Sequence, residues 1–351
     1  MQAISKTITD WYRQNKRELP WRDIKDAYKI WISEIILQQT RVNQGMNYYL
    51  RFVERFPDVK SLANADEEEV LRYWQGLGYY SRARNLHKAA HQIMDRHNGV
   101  FPTEFSDIIT LPGIGVYTAS AISSFAYNQP YAVVDGNVYR VLARYFGIET
   151  PIDTPKGIKQ FAEMANVILD HENAGLHNQA LMEFGALQCV PVSPDCLNCP
   201  LTLSCKAFEN KLIATLPIKE KKIKVKERFF NYLFINLNEN TFLQKRTSND
   251  IWKNLYEFPL IETEKQISID ELTAHNDFIV LFRDIEDINI RNISAPVKHI
   301  LTHRIIYATF VTIEIWRSNK QLEKLTKTSL SDVQNFAVSR LIDLFLQNRD
   351  K

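Results

Sequence analysis

The sequence predicts a two-domain protein, an all-α domain followed by a smaller α/β domain, and three observations carry that expectation. Apolar spacing is helical from Ser5 to about Leu212 and becomes strand-like from Phe229 onward. All four cysteines fall between Cys189 and Cys205, at the end of the helical stretch. A basic run then follows Pro217, with Lys219, Lys221, Lys222, Lys224, Lys226 and Arg228. Such a run suits an interdomain linker, or else a solvated surface strand. The expected boundaries are 1–215, a linker over 216–228, and 229–351. A chain of 351 residues is also long for a single core.

In the first domain the helical pattern is clear over Tyr28 to Phe52, Glu68 to Trp74, Arg82 to Met94, Val116 to Phe125 and Val138 to Phe146. Pro57, the Gly76-Leu77-Gly78 turn, Gly99 with Pro102, and Pro112-Gly113 punctuate it. In the second domain, Phe229 to Leu237, Thr241 to Lys245, Phe278 to Phe282 and Tyr307 to Ile315 read as strands, and Asn335 to Leu346 as a closing helix. A composition 45% hydrophobic and 24% charged is that of a folded soluble protein. No eighteen-residue apolar run exists, since Ser33 and Glu34 interrupt even Ile30 to Leu37, and a membrane span is not expected. Met1 to Glu18 has no apolar core of a signal peptide, so secretion is not expected either. A net charge of +2 does not by itself announce a nucleic-acid binder, although a local basic face remains compatible with it.

Three features carry chemistry. The spacing Cys189-x6-Cys196-x2-Cys199-x5-Cys205 lets four thiolates converge on one centre. It lacks the two close pairs of a zinc ribbon and differs from the common ferredoxin runs. A metal or cluster site is expected, with zinc or free thiols as alternatives. Next, Ser106 to Thr110 ends one helix and Leu111-Pro112-Gly113-Ile114-Gly115 turns into another. Bare glycine backbone before a helix N-terminus can bind an anion, or can simply make a tight turn.

The third feature is a pair of carboxylates. Glu34 has Ile30, Trp31 and Leu37 as helical neighbours. Desolvation there would raise its pKa toward that of a general acid, unless the side chain snorkels to solvent. Asp135 stands where Val133-Val134 gives way to a helix. It reads as an N-cap, and helix N-terminal donors would keep it ionised, suited to facing a developing cation. Two acids whose environments pull them apart are what glycosidic cleavage requires.

Together these segments resemble a family. Leu19-Pro20-Trp21-Arg22, Trp31 to Thr40, Gly76 to Arg82, Leu111 to Thr118, Val134 to Val138 and the cysteine spacing are similar to MutY-type adenine DNA glycosylases of the endonuclease III superfamily. Trp252-Lys253-Asn254-Leu255-Tyr256-Glu257-Phe258-Pro259 resembles a segment of their MutT-like (Nudix-like) domain. The resemblance implies an all-α helix-hairpin-helix glycosylase domain, its hairpin near 104–126 and an iron–sulfur loop at 189–205, followed by an α/β domain that recognises 8-oxoguanine. It implies monofunctional removal of adenine mispaired with 8-oxoguanine or guanine in double-stranded DNA, by a monomeric bacterial enzyme of the cytoplasm and nucleoid.

By the same resemblance Glu34 protonates the leaving base and Asp135 stabilises or bonds the sugar, with Tyr117 and Asn137 supporting them. Trp21, Arg22, Leu37 and Gln179 line the pocket for the extruded base. Gln39, Thr40 and Tyr79 contact the duplex at the lesion, Gly113 and Gly115 hold phosphate, and Cys189, Cys196, Cys199 and Cys205 bind a [4Fe–4S] cluster. Bifunctional relatives carry a lysine at position 117, and a phenol there cannot form a Schiff base. The family's Phe-Ser-His triplet for 8-oxoguanine aligns with Leu301-Thr302-His303, which keeps a hydroxyl and loses the ring. The loop Val190 to Asp195 has no basic residue, so a phosphate contact would come from elsewhere, such as the linker lysines. Two rival functions are weaker. A nucleotide pyrophosphohydrolase would need a glutamate cluster that is missing after Phe258, and a purely redox-sensing DNA binder would not need Glu34, Tyr117 and Asp135.

Overall fold

A computed structural model describes residues 2–220 and 225–349. The chain divides into two units, residues 1–64 with 85–221 and residues 65–84 with 222–351. Residues 65–84 group with the second unit and not with the first. Residues 221–224 of the expected linker lie outside the described residues, and Lys226 and Arg228 belong to a strand.

The first unit is helical. Its core gathers the helices Gln2–Asn15, Gly136–Phe146, Pro155–Ile168 and Ala174–Leu187 around Ile8, Val138, Leu142, Phe161, Leu181 and Phe184. The helix Ala27–Leu37 is buried on nearly every side and starts at Asp26, whose carboxylate accepts from Lys29 N at 3.1 Å. The sequence pattern from Tyr28 to Phe52 is therefore two helices, Ala27–Leu37 and Val42–Arg55. The break falls at Gln39, which adopts a left-handed backbone with φ of 57°. Periodicity could not show this, because both helices bury apolar faces and no proline or glycine separates them.

In the second unit β1 (Lys226–Asn236) is the central strand. After it come β2 (Asn240–Lys245), β3 (Tyr256–Glu257), β4 (Leu260–Thr263), β5 (Asn289–Ile293), β6 (Val297–Ile300), β7 (Arg304–Glu314) and β8 (Thr326–Ser329). One sheet runs β4-β1-β7-β5 with β6 also on β7, and a second runs β3-β2-β8. The β1–β7 pair is parallel, with Tyr232 beside Phe310 and Leu233 beside Val311. Alternate residues of β1 enter two different cores. Leu233 and Ile235 pack with Phe278 and Val311, while Phe230, Tyr232 and Phe234 pack with Phe258 and Phe310. A strand buried on both faces reads as the continuous apolar run seen in the sequence.

Two expected elements differ. Phe278 to Phe282 is not a strand, since the helix Asn276–Leu281 occupies it, begun by His275, whose ring accepts from Asp277 N. Phe278 and Phe282, one turn apart, pack at 4.5 Å between ring centroids. The closing helix is Arg340–Arg349, later than expected, because Val333–Asn335 forms a separate 3-10 turn and Ser339 hydrogen-bonds the first turn of the helix.

Residues 65–84 join this unit through named contacts. Asn254 donates to Glu67, Lys245 pairs with Glu68 at 3.7 Å, and Arg84 Nη1 donates to Lys253 O at 2.8 Å. Gln75 Oε1 accepts from Val338 N, and Tyr80 Oη donates to Val338 O. No helix among the described residues is long and apolar enough to cross a membrane.

Candidate active site

The first unit holds a cleft of about 950 Å³ with both expected carboxylates in its wall. Glu34 enters from the third turn of Ala27–Leu37, the one acid on a helix otherwise sunk in the core. It is 8% exposed. Its Oε2 accepts a 2.7 Å hydrogen bond from Tyr117 Oη. Burial pushes its pKa up to about 7, against the Tyr117 hydrogen bond and the Arg22 charge, and with a contribution from Asp135. The snorkelling alternative is excluded, and Glu34 can hold a proton near neutrality.

Asp135 caps the helix Gly136–Phe146. Its Oδ1 accepts from Val138 N at 2.8 Å and its Oδ2 from Asn137 Nδ2 at 2.7 Å. These donors were expected to hold it well ionised, but burial outweighs them and its pKa is raised. The carboxylate therefore becomes protonated at a higher pH than a free aspartate. Asn137 is itself oriented by Arg140, whose Nη2 donates to Asn137 Oδ1 at 2.9 Å and whose Nε donates to Cys189 O at 2.6 Å.

The structure brings Trp21, Arg22, Leu37, Gln39, Thr40, Gly115, Tyr117, Asn137 and Gln179 to the same wall. Trp21 is steadied edge-on by Tyr49, with ring centroids 5.0 Å apart. The hairpin glycines have different constraints. Gly113 has φ of 80° and a Cβ there would meet Asn85 Cβ at 2.7 Å, whereas a Cβ on Gly115 would meet nothing. Gly115 is the N-cap of Val116–Tyr127 without a side-chain cap, which leaves the first amides of that helix open to an anion.

Tyr79, Thr302 and His303 belong to the second unit. Tyr79 and Thr302 hydroxyls hydrogen-bond each other, and both residues are exposed. Tyr79 stands at φ of 49°, a strained backbone for an aromatic residue, and is 44% exposed.

Sequence reading missed Tyr12, Arg17, Glu183 and Arg140. Glu183 lies one turn from Gln179 on Ala174–Leu187, a spacing that shares a helix face, so a signal existed for it. Arg17 reaches it from a loop, and no local pattern announces that.

The four cysteines are each half-buried on the loop after Ala174–Leu187. Arg144, 2% exposed, ties that loop down: its Nη1 donates to Cys189 Sγ at 3.5 Å and Val190 O at 2.8 Å, and its Nη2 to Pro191 O at 3.0 Å. Burial raises the thiols of Cys196, Cys199 and Cys205. Among the described residues no three His, Cys, Asp or Glu side chains are gathered closely enough to hold a single metal ion.

Residues 32–166 match the HhH-GPD superfamily of base excision DNA repair proteins, and residues 231–348 match the NUDIX domain. An adenine DNA glycosylase of Buchnera aphidicola subsp. Acyrthosiphon pisum is 39% identical over 76% of this chain and 76% of its own length. The chain belongs to the adenine DNA glycosylase family. A second member, from Buchnera aphidicola subsp. Baizongia pistaciae, is 37% identical over 88% of this chain and 86% of its own. Among solved structures, a thermostable thymine-DNA glycosylase is 28% identical with a TM-score of 0.55, and covers 59% of this chain and 96% of its own. An endonuclease III–DNA complex, 22% identical with a TM-score of 0.52, shares the fold over 60% of this chain and 97% of its own. The glycosylase thus couples an endonuclease III-like helical domain to a Nudix-like α/β domain. It is a DNA-binding enzyme of base excision repair that removes adenine. In its Nudix-like domain Glu271, on the short helix Ile269–Thr273, forms a capping box with Ser268.

Proposed function

We propose that this glycosylase excises adenine mispaired with 8-oxoguanine or guanine in duplex DNA, and that it hydrolyses the N-glycosidic bond without cutting the strand. The observation that carries the reading is one cleft holding a buried carboxyl that keeps its proton near neutrality, Glu34, and a second carboxyl on a helix N-terminus, Asp135. A stacked adenine hides its reacting atoms, so the base must leave the helix and enter the cleft. Its volume, about 950 Å³, admits a nucleoside. Glu34 donates its proton to the leaving base, and Tyr117 holds the Glu34 carboxyl in place through the 2.7 Å bond. Asp135, fixed by Val138 N and Asn137 Nδ2, faces the positive charge that develops on the sugar.

Strand cleavage through a Schiff base requires an amine at the sugar. Position 117 is a phenol, and no lysine stands among the residues lining the cleft. Exposed Tyr79, strained and bonded to Thr302, supports a lesion-facing role for both residues, with His303 beside them. An excision assay on duplexes with adenine opposite 8-oxoguanine, guanine, thymine and cytosine tests the reading. Strand breaks should appear only after alkali, fastest opposite 8-oxoguanine. Breaks without alkali would remove the monofunctional mechanism, and equal rates opposite all four bases would remove the mispair preference.

The cysteine loop is read as the seat of a [4Fe–4S] cluster. Four half-buried thiols on one short loop supply the number and kind of ligand that such a cluster takes. The buried Arg144 guanidinium offsets the thiolate charge. Bound there by Cys189, Cys196, Cys199 and Cys205, the group would supply a covalent anchor for a loop with few apolar residues of its own. Protein prepared without air should contain iron and acid-labile sulfide in equal amounts; stoichiometric zinc in their place would overturn the assignment.

A further inference from the structure

A hydrogen-bond chain runs along the cleft wall, through Arg17, Glu183, Arg22 and Gln179, with Tyr12 in the core behind it. Glu183 accepts from Arg17 Nε and Nη2 at 2.7 Å each and from Arg22 Nη2 at 3.0 Å. Burial pushes its carboxyl up, but the Arg17 hydrogen bond and the Arg22 charge outweigh that and hold it below the usual range. Arg22 Nη1 donates to Tyr12 Oη at 3.0 Å, and Tyr12 Oη donates to Gln179 Oε1 at 3.1 Å. The first direction is forced, and the second follows where Tyr12 gives its proton to Gln179. A guanidinium only donates, so Tyr12 accepts from Arg22 and has one proton left to give. Given to Gln179, that proton requires the amide oxygen to face Tyr12 and turns the amide nitrogen away. A reversed amide would instead donate to the phenol oxygen and turn the buried phenol proton away from Gln179. Gln179 lines the cleft whereas Tyr12 does not, and Tyr12, only 2% exposed, sits in the core behind it.

We propose that Tyr12 is a positioning residue that sets which way round Gln179 reads the extruded base. A carboxamide presents an acceptor beside a donor. Adenine offers an N6–H donor beside the N1 acceptor, and hypoxanthine offers the O6 acceptor beside an N1–H donor. Turning the amide over therefore exchanges the purine it suits. Glu183, Arg22 and Tyr12 lock one orientation, the one that serves adenine, so selectivity against hypoxanthine originates in part outside the cleft. This inference rests on the adenine-excising reading above.

The test is single-turnover excision by the full-length enzyme from duplexes carrying adenine or hypoxanthine opposite 8-oxoguanine. Tyr12→Phe keeps the ring and frees the amide. It should lower the adenine-over-hypoxanthine rate ratio about tenfold, the worth of one well-made hydrogen bond. In a Gln179→Ala background the same substitution should leave the ratio unchanged. Equal slowing on both bases, or an additive effect in the Gln179→Ala background, would mean that Tyr12 only packs, and would overturn the proposal. Neutron diffraction of the wild-type enzyme needs no variant to fold. A deuterium on Tyr12 Oη directed at Gln179 is expected, and two deuteriums on the amide atom facing Tyr12 would refute the lock. Failure of the wild-type enzyme to release adenine would sink the earlier reading, whereas normal release with an unchanged ratio would sink this one alone.

Discussion

At the scale of single residues, the protein keeps a carboxyl where burial disfavours its charge, and this has consequences for both rate and stability. On the proposed mechanism, base release needs Glu34 protonated and Asp135 ionised. The single-turnover rate should therefore fall as pH rises through about 7. On the acid side it should fall at a higher pH than a free aspartate would give, since Asp135 is raised. A rate that keeps climbing to pH 9 would remove Glu34 as the proton donor. Glu34→Gln deletes the transferable proton and keeps the shape, so mispaired duplex should still bind while excision drops by about 10²–10⁴-fold. The stability effect has the opposite sign. A carboxyl whose folded pKa lies above its unfolded value contributes stability that is fully present below about 4.5 and is lost as pH rises through about 7. Glu34→Gln should therefore be more stable than wild type at pH 8, by as much as about 3 kcal/mol, with the gain vanishing near pH 4.5. Denaturant unfolding at the two pH values measures it. A variant equally destabilised at both would mean that the carboxyl is not held neutral.

At the scale of elements, the hairpin before Val116–Tyr127 separates backbone shape from ligand access. Gly113 needs both its left-handed φ of 80° and an absent Cβ, because Asn85 occupies the space. Gly115 has an ordinary extended backbone with open space beside it. Gly113→Ala should cost stability of about 1–3 kcal/mol and weaken DNA binding with it. Gly115→Ala should leave the melting temperature unchanged and weaken binding of any duplex, through a methyl group placed where the phosphate approaches. Sequence-independent weakening in a salt titration would distinguish this from lost base recognition. An unchanged affinity for Gly115→Ala would remove the hairpin from the DNA-contacting surface. The hairpin was readable because its glycines are local punctuation. Glu34, Asp135 and Tyr117 were readable because each sits in a recognisable segment. The break at Gln39 was not, since a left-handed glutamine leaves no mark on apolar spacing. Phe278 to Phe282 misled because a five-residue apolar run fits either period, and only its capping at His275 decides for a helix. Tyr12 and Arg17 were invisible as functional groups, because what they do depends on Gln179 and Glu183, more than 160 positions along the chain.

At the scale of the whole molecule, the unit that carries the Nudix-like fold is not continuous in sequence. Residues 65–84, within the stretch matched by the glycosylase superfamily, take their partners from the C-terminal part of the chain. The helix Glu67–Tyr73 meets Asn254 and Lys245 through Glu67 and Glu68, and the turn after it meets Val338 through Gln75 and Tyr80. Removing residues 227–351 therefore does more than delete a recognition module. It removes these partners and takes Thr302 from Tyr79. A free loop would let the strained Tyr79 relax, since such backbone persists only where its surroundings enforce it. The truncated protein should still release adenine, because every residue of the cleft stays in place. It should lose preference for 8-oxoguanine over guanine opposite adenine, and should gain a protease-sensitive site within residues 65–84. Limited proteolysis alongside the excision assay checks both effects. A truncated chain that resists cleavage there, yet loses selectivity, would mean that the segment is stable alone and that the C-terminal part reads the lesion directly. If it resists cleavage and also keeps selectivity, the Nudix-like unit has no part in choosing the mispair.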